Sequence, residues 1–213
     1  MHKIAIARWL QDLIEKQGGN RTTYIPNGID LARFRLHTPL AQRSPHRVGM
    51  LYHILDWKGC ADALQALEQV RAQIPTLEAV LYSVYERPAT LPAWIEYHHL
   101  PSSEQLVGIY NSCALFLHPS WAEGLPAPPA EAMACGCAVV AAANAGVQDY
   151  VEDGWTGLLA PIKSPEALAA QMLRLLQNDE LRQAVARAGH DFIQGFTWKR
   201  ATDQLEKLLI EGV

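Results

Sequence analysis

Several features that define whole classes of protein are missing from this sequence of 213 residues. No apolar run approaches the ~20 residues that a helix needs to cross a bilayer, and no signal-peptide pattern is recognisable. Basic residues are not in excess, because 18 Lys and Arg stand against 22 Asp and Glu, a formal net charge of −4. This balance argues against nucleic acid or an anionic membrane as the main partner.

Cysteine is also scarce, and its four copies show neither a disulfide framework nor the spacing of zinc ligands. Cys135 and Cys137 form Cys-x-Cys rather than Cys-x-x-Cys, with no second pair spaced to match. We therefore expect reduced, buried thiols in a cytosolic protein. His98 and His99 lack partners at metal spacing, so we interpret them as solvated or hydrogen-bonded side chains. No internal repeat or low-complexity segment is present.

What the chain does contain is a regular alternation of apolar runs and helical patterns. Apolar runs predict strands at 48–52, 77–84, 113–117 and 138–142, with shorter ones at 3–7, 22–25, 97–100 and 158–159. Periodicity and capping residues predict helices at 59–74, after Ser102 or Ser103, after Pro128-Pro129, from 164 to about 176, after Asn178 and after Thr197. A further helix follows the first strand and is ended by Gly18-Gly19, and 36–46 is interpreted as an irregular linker. Near-continuous apolar strands that alternate with helices predict an α/β fold, a Rossmann-like parallel β-sheet flanked by helices on both faces.

The stretch from Ser120 to Val140 carries two carboxylates, Glu123 and Glu131. Glu123 lies in a Gly/Pro loop after the predicted strand 113–117, and Glu131 lies in the first turns of a helix that Pro128-Pro129 opens and Gly136 closes. Ligands of open α/β sheets bind at the carboxyl ends of the strands. Carboxylates there can accept paired hydrogen bonds from the hydroxyls of a sugar or ribose. The spacing alone is weak evidence, since surface glutamates eight positions apart are common.

Three further features allow both a functional and a structural interpretation. Lys58 stands between a strand and the start of a helix, where a cation can bind phosphate. Read alone, it is more simply a solvated loop lysine. Asn27-Gly28-Ile29-Asp30 is by itself only a turn. His118 ends an apolar strand beside the glutamate loop, where it could face a ligand, although a histidine at the edge of the core is the favoured interpretation.

Five motifs together resemble the C-terminal, nucleotide-sugar-binding half of the retaining glycosyltransferases of family 4, which have the two-domain GT-B fold. The motifs follow the family's order along almost the whole chain, so their agreement is far more specific than any one of them. They are Ile25-Pro26-Asn27-Gly28-Ile29-Asp30 with Phe34; Lys58-Gly59; Pro119-Ser120 with Glu123-Gly124-Leu125-Pro126 and Glu131-Ala132-Met133-Ala134-Cys135-Gly136; Val151-Glu152-Asp153-Gly154 with Thr156-Gly157-Leu158-Leu159; and Phe196-Thr197-Trp198.

The resemblance implies a role for each matching residue. Glu123 resembles the glutamate that holds hydroxyls of the donor sugar, with nearby backbone N–H groups assisting. Glu131 resembles the glutamate that binds the ribose. Lys58 resembles the lysine that contacts the diphosphate and stabilises the negative charge of the leaving group. Glu123 and Lys58 are therefore the expected catalytic residues, and the expected donor-binding set is Glu123, Gly124, Leu125, Pro126, Glu131, Lys58 and His53.

The sequence departs from the family pattern at three places. The family has Gly-Arg shortly before the lysine, where this chain has Tyr52-His53, so His53 is the candidate replacement for the arginine. A histidine is only partly charged at neutral pH, which weakens the expected phosphate clamp. The usual Gly-Phe-Gly-Leu-Pro is reduced to Gly124-Leu125-Pro126, which changes one wall of the sugar pocket, and Asp149 stands where the family has a glutamate.

The resemblance also sets expectations for cofactor and domain organisation. No metal and no cofactor are expected, because side chains and helix N-termini take over charge neutralisation, and the nucleoside-diphosphate sugar is a co-substrate. We divide the chain into an N-terminal segment and linker (1–45), a core (46–195) and a C-terminal helix (196–213), all one donor-binding domain. On this resemblance, we expect the acceptor-binding, Rossmann-like N-terminal domain to be absent from this chain. We therefore expect donor binding without transfer.

The leading hypothesis is the donor-binding domain of a retaining, hexosyltransferase-like glycosyltransferase that uses a glycan or lipid-linked acceptor, as in polysaccharide biosynthesis. Backbone groups near 100–102 are expected to select the base. A cytoplasmic location follows, with peripheral association of the full-length protein at the inner face of the membrane as a further option. The alternative is a non-catalytic Rossmann-like nucleotide-binding or regulatory module. A nucleotide-sugar epimerase of the same fold is disfavoured, since the two glutamates suit retaining transferases better.

Overall fold

The computed structural model describes residues 2–18 and 21–210 and contains two parallel sheets. Its strands are β1 (Lys3–Ala5), β2 (Thr22–Tyr24), β3 (Arg47–Leu51), β4 (Glu78–Ser83), β5 (Ile95–His99), β6 (Leu115–His118), β7 (Ala138–Ala142) and β8 (Leu158–Ala160). Its α-helices are α1 (Arg8–Gly18), α2 (Cys60–Gln73), α3 (Ser103–Ser112), α4 (Ala127–Ala134), α5 (Pro165–Leu176), α6 (Asp179–Ile193) and α7 (Trp198–Ile210). None of the helices described is long and apolar enough to cross a membrane.

The main sheet has six strands in the order β5-β4-β3-β6-β7-β8, and all neighbouring pairs are parallel. The chain proceeds from β3 to one edge through β4 and β5, returns to the centre at β6, and then proceeds to the other edge. The direction of winding therefore reverses between β3 and β6. In open parallel sheets the crevice at such a reversal, outside the carboxyl ends of the strands, is where ligands bind.

Helices cover both faces of the main sheet, as predicted. Leu115 and Leu117 of β6 belong to the buried cluster that β3 and β4 form with α2 and α5. Phe116, between them, belongs to the opposite cluster, with α3 and α4. Successive side chains of a strand alternate between faces, so each central strand supplies both cores and is apolar along its length.

The predicted strands correspond to strands in the structure, but some of their first and last residues differ. The predicted strand 138–142 is β7 itself, whereas the predicted strand 113–117 is wrong at its start, because β6 begins at Leu115. Cys113 instead caps α3, its backbone N–H donating to the carbonyl of Tyr110. An apolar run that is buried throughout cannot show where a helix end gives way to a strand. The predicted strand 97–100 is likewise late, since β5 begins at Ile95.

The capping predictions were more accurate than the strand limits. Ser102 caps α3 in a full capping box with Gln105, and the side chain of Asn178 accepts the backbone N–H of Leu181 at the start of α6. Thr197 accepts the N–H of Arg200 at the start of α7, 3.0 Å away. These motifs are local hydrogen bonds between a side chain and nearby backbone, so the sequence alone determines them.

The N-terminal segment forms a unit of its own beside the main sheet. β1 and β2 pair in parallel as a separate two-stranded sheet, with α1 as their connection. α1 extends through Gly18, while Gly19 of the predicted stop lies outside the described residues. The last residues of the predicted helix 196–213, from 211 onwards, also lie outside them.

The predicted linker 36–46 is irregular apart from one short turn of 3₁₀-helix at Leu40–Gln42, yet it contains a buried charge. Arg43 is only 6% exposed. Its guanidinium donates to the backbone carbonyls of Thr38, Tyr110, Cys113 and Cys135. These carbonyls come from the segment itself and from the ends of α3 and α4, so one side chain fastens the linker to the core.

We expect Arg43→Met to lower the free energy of unfolding by about 3 kcal/mol or more, because several buried carbonyls lose their donor. Urea denaturation monitored by circular dichroism measures the change. Arg35→Met, at an exposed position just before this segment, is the matched control and should change stability by no more than about 0.5 kcal/mol. Equal losses in the two variants would contradict the anchoring role of Arg43.

Candidate functional site

Lys58 and Glu123 meet at the reversal of the sheet, because they follow the adjacent strands β3 and β6. The Nζ of Lys58 lies 2.7 Å from Oε1 of Glu123, and the side chains are 23% and 15% exposed. Partial burial weakens solvent screening, so this pair is stronger than an exposed ion pair. The sequence placed both residues near the sheet edge, and the structure joins them as partners.

Backbone contacts fix the loop that carries Lys58 against the loop that follows β6. Gly59 has φ +65°, and a Cβ atom there would lie 2.2 Å from the carbonyl oxygen of Pro119. The backbone N–H of Trp121 donates to the carbonyl of Trp57 at 2.7 Å, and its indole N–H donates to Asp62. Only glycine permits the close approach at position 59, which explains the Lys58-Gly59 pair in the sequence.

A third loop supports Glu123 from the other side. A Cβ atom on Gly146 would lie 2.3 Å from the carbonyl oxygen of Gly124, so the two backbones are in direct contact. Asn144 donates to the carbonyl of Ser120, and the hydroxyl of Tyr150 donates to that of Pro126. The backbone around Glu123 is thereby held at several points, and its carboxylate has a defined position.

A cavity of about 250 Å³ lies between these loops. Lys58, Glu123 and His118 line it, and so do three other residues of the expected donor-binding set, His53, Leu125 and Pro126. Gly124 and Glu131, the remaining members, do not line it. Among residues 2–18 and 21–210, no protein acceptor is hydrogen-bonded to the backbone N–H of Gly124 or Leu125.

His53 contributes to this cavity as a neutral group. Its Nδ1 accepts the backbone N–H of Leu55 at 3.0 Å, so the proton of the neutral ring is on Nε2. Burial, and then the charge of Lys58, lower the pKa of His53, although Glu123 opposes them. The imidazole therefore carries an uncharged N–H group, 3.5 Å from the hydroxyl of Tyr85, rather than the second positive charge that an arginine would supply.

Glu131 lies on α4, apart from the cavity, and takes part in a buried chain of hydroxyl groups. The hydroxyl of Tyr110 lies 2.9 Å from Oε2 of Glu131 and donates to it, and the hydroxyl of Tyr82 lies 2.6 Å from that of Tyr110. Burial raises the pKa of both phenols and of the Glu131 carboxyl, while the bond from Tyr110 lowers the pKa of the carboxyl. These hydroxyl groups fix one oxygen of the Glu131 carboxylate, Oε2, and leave the other oxygen, Oε1, available to accept a hydrogen bond.

This role of Tyr110 and Tyr82 was not predicted from the sequence. Tyr110 fell on the apolar face predicted for α3, and Tyr82 fell within an apolar strand. Their phenol rings fit a core, and only the tertiary structure shows that their hydroxyls form a line leading to Glu131. A signal that could have predicted these hydrogen bonds is a tyrosine in a segment expected to be fully buried, since buried phenol hydroxyls need hydrogen-bond partners.

A larger cavity, about 880 Å³, lies elsewhere, between α3 and the segment from 32 to 47. It contains none of the predicted site residues, and the charges along it are largely committed to other protein groups. Arg43 is bonded to backbone carbonyls, Arg47 to Glu78 and Glu96, and Arg33 to Asp30. The smaller cavity has the more suitable chemistry, so volume does not identify the site.

The other candidate residues have structural surroundings. Asp30 caps a turn by accepting the backbone N–H of Arg33, and Gly28 packs against the start of α7. His98 and His99 contact the carboxylates of Glu96 and Glu86. All four cysteines are buried and free. Within the described residues, no group of three or more His, Cys, Asp or Glu side chains could hold a metal ion.

The architecture is that of GT-B glycosyltransferase structures. Sucrose-phosphate synthase of Thermosynechococcus elongatus matches 99% of this chain with a TM-score of 0.84 at 22% identity, the match covering 58% of that protein. HepE of Anabaena, in complex with UDP and glucose, matches 98% with a TM-score of 0.82 at 21% identity, covering 62% of that protein. The C-terminal domain of the group 1 glycosyl transferase LpcC of Francisella tularensis matches 79% of this chain with a TM-score of 0.69 at 22% identity. The match covers 97% of that domain.

Sequence comparison identifies the family. Residues 46–178, more than half of the chain, match the family model of glycosyl transferases group 1, and the chain belongs to this family. The uncharacterised glycosyltransferase MJ1178 of Methanocaldococcus jannaschii is 24% identical over 212 residues, 98% of this chain and 59% of that protein. The amylovoran biosynthesis glycosyltransferase AmsK of Erwinia amylovora is 27% identical over 201 residues, 85% of this chain and 49% of that protein. The chain thus spans about half to three-fifths of these relatives.

We expect Tyr110→Phe to raise the pKa of Glu131 further, because the hydrogen bond that favours the ionised carboxylate is removed. The free energy of unfolding should fall by about 1–3 kcal/mol, since the buried hydroxyl of Tyr82 also loses its partner. An NMR titration of the Glu131 side-chain carboxyl carbon measures the first effect. Tyr97→Phe, whose hydroxyl bonds to the carbonyl of Tyr85, is the control and should leave Glu131 unchanged. An unaltered titration in Tyr110→Phe would contradict the network.

Proposed function

We propose that this chain is the donor-binding, C-terminal domain of a retaining glycosyltransferase and holds a nucleoside-diphosphate sugar at the reversal between β3 and β6. The observation that supports it most is the pairing of Lys58 and Glu123 around one cavity at that point. A donor presents a negatively charged diphosphate joined to an uncharged, hydroxyl-rich ring. A cation beside a carboxylate is complementary to that combination.

In this proposal the two charged side chains exchange partners when the donor binds. Lys58 turns from Glu123 to a diphosphate oxygen, where its charge also stabilises the leaving nucleoside diphosphate as the glycosidic bond breaks. Glu123 then accepts hydrogen bonds from the sugar. The backbone N–H groups of Gly124 and Leu125 supply further donors beside it. Because the loops are already fixed, only side chains need to move.

Glu131 is assigned to the ribose. Its position outside the cavity fits a donor that extends along α4, with the sugar in the cavity and the nucleoside beyond it. Tyr110 orients the carboxylate, and the free oxygen accepts from a ribose hydroxyl. The base is assigned to the loop after β5, where Leu100 is 61% exposed and has the unusual φ of +47°.

The remaining assignments concern the whole enzyme. The likeness to an amylovoran biosynthesis glycosyltransferase supports a glycan or lipid-linked acceptor. The likeness to the C-terminal domain of LpcC supports the assignment of this chain to the donor half. We propose that the acceptor is bound by a separate N-terminal domain, that the chain alone binds donor without transferring sugar, and that the reaction occurs in the cytoplasm without a metal.

Isothermal titration calorimetry with UDP, GDP and ADP, and with UDP-glucose, GDP-mannose and ADP-glucose, tests the proposal. We expect one nucleoside diphosphate to bind, and its sugar conjugate to bind more tightly because Glu123 gains a partner. Complexes of the related proteins HepE and GtfA with UDP make uridine the first choice. Binding of a nucleotide without any gain from a sugar would favour a nucleotide-binding module instead. If none of the three nucleoside diphosphates and three nucleotide sugars bound, the proposed function and the nucleotide-binding module would both be contradicted.

We expect Glu131→Ala to weaken binding of nucleotide and nucleotide sugar alike, and Glu123→Ala to remove only the gain that the sugar gives. Each loses one hydrogen bond to a charged group, worth ~1.5–3 kcal/mol, or roughly 10- to 150-fold in Kd. Glu123→Ala also frees Lys58, so the affinity for sugar-free nucleotide should not fall. Glu68→Ala, at an exposed position on α2, is the control. Equal losses of sugar-free nucleotide binding in both site variants would overturn the assignment.

A further inference from the structure

His118 presents an unpaired polar atom at the candidate site. It is the last residue of β6, is 6% exposed, and lines the cavity with Lys58 and Glu123. Its Nε2 atom is buried and has no hydrogen-bond partner within the described residues. Most buried side-chain polar atoms in proteins are paired, so an unpaired one on a residue that lines a cavity indicates a missing partner.

Two other buried atoms in the part of the chain that the structure describes lack a partner, and their surroundings differ. The Nε of Arg182 on α6 and the Oε1 of Gln204 on α7 are also buried without a partner. Neither residue lines the cavity at the candidate site. His118 is therefore the residue for which a ligand, rather than local packing, is the natural partner.

The imidazole of His118 is an uncharged group beside two charged ones. Burial lowers its pKa to about 4, with Glu123 raising it and Lys58 lowering it. At neutral pH the ring carries no charge, so it has no electrostatic preference for a phosphate. An uncharged ring nitrogen is suited to a sugar hydroxyl, which can donate to it or accept from it.

We propose that His118 is a specificity-determining residue that hydrogen-bonds one hydroxyl of the donor sugar through Nε2. This inference rests on the proposed function, and it adds a contact that the sequence motifs do not assign. Glu123 and His118 would bind different hydroxyls from two sides of a cavity of about 250 Å³. A site that pairs a buried polar atom with a hydroxyl rejects sugars that lack it, because the atom is left unpaired.

The test compares His118→Leu, which removes the polar atom, with His118→Gln, whose amide can replace Nε2. Calorimetry with nucleoside diphosphate and with its sugar conjugate measures the gain in affinity from the sugar. We expect His118→Leu to reduce this gain roughly 5- to 10-fold with sugar-free nucleotide unaffected, and His118→Gln to retain most of it. His37→Leu, at an exposed position, is the control, and thermal unfolding verifies that each variant is folded.

Deoxy sugars identify the hydroxyl. For wild-type protein, one of the 2-, 3-, 4- or 6-deoxy donors should lose about as much affinity as His118→Leu loses with the complete sugar. In His118→Leu the same deoxy donor should lose little more, because the two changes remove one hydrogen bond. Additive losses for every deoxy donor would show that His118 contacts none of these hydroxyls.

A measurement on the wild-type protein does not depend on the folding of any variant. Long-range ¹H–¹⁵N spectra should show the Nε2 resonance of His118 shifting with nucleotide sugar and remaining unchanged with sugar-free nucleotide. If the sugar conjugate binds more tightly but neither this resonance nor the affinity of His118→Leu responds to the sugar, the inference about His118 is wrong and the donor site stands. If wild-type protein gains no affinity from any sugar, the proposed function fails, and this inference fails with it.

Discussion

The ion pair between Lys58 and Glu123 connects the two strands at which the sheet reverses its winding. Its 2.7 Å separation depends on close backbone contacts, above all on Gly59 against Pro119. Any side chain at position 59 would push the two loops apart. The pair also leaves the cavity nearly neutral, because the charges of the cation and the carboxylate cancel. In the proposed function, a donor replaces both halves of the pair at once, since a diphosphate joined to a sugar has the two kinds of group required.

The candidate site combines charged side chains with neutral ones. Lys58 and Glu123 are charged, whereas burial lowers the pKa of both His53 and His118 and keeps these rings neutral near pH 7. Glu131 lies apart, oriented by Tyr110. Under the proposed function, the charged groups attract and neutralise the diphosphate, while the neutral groups, already fixed in place, select among sugar hydroxyls. Such a division would let one scaffold keep its phosphate chemistry while the sugar preference changes.

The sequence was sufficient for features set by local or repeated patterns. Ser102 or Ser103, Asn178 and Thr197 were predicted as helix caps because a cap needs only its own side chain and the next turn. The sheet was predicted from its apolar strands, and the residues expected at its edge from family motifs. The roles of those residues in donor binding stay predictions until a ligand is measured.

Features that depend on strand order or on distant contacts were not predictable from sequence. Lys58 and Glu123 are 65 positions apart, and only the adjacency of β3 and β6 brings them together. The burial of Arg43 within an irregular linker depends on carbonyls up to 92 positions away. For His118 the sequence left two interpretations open. That His118 lines the cavity and that its buried Nε2 has no partner became evident only in three dimensions.

A crystal structure of this chain with a bound nucleoside-diphosphate sugar, such as UDP-glucose, tests the central claim most directly. The account predicts the sugar in the cavity of about 250 Å³, with Lys58 moved from Glu123 to the diphosphate and Glu123 bonded to the sugar. A donor bound in the larger cavity along α3, with the pair between Lys58 and Glu123 intact, would contradict it.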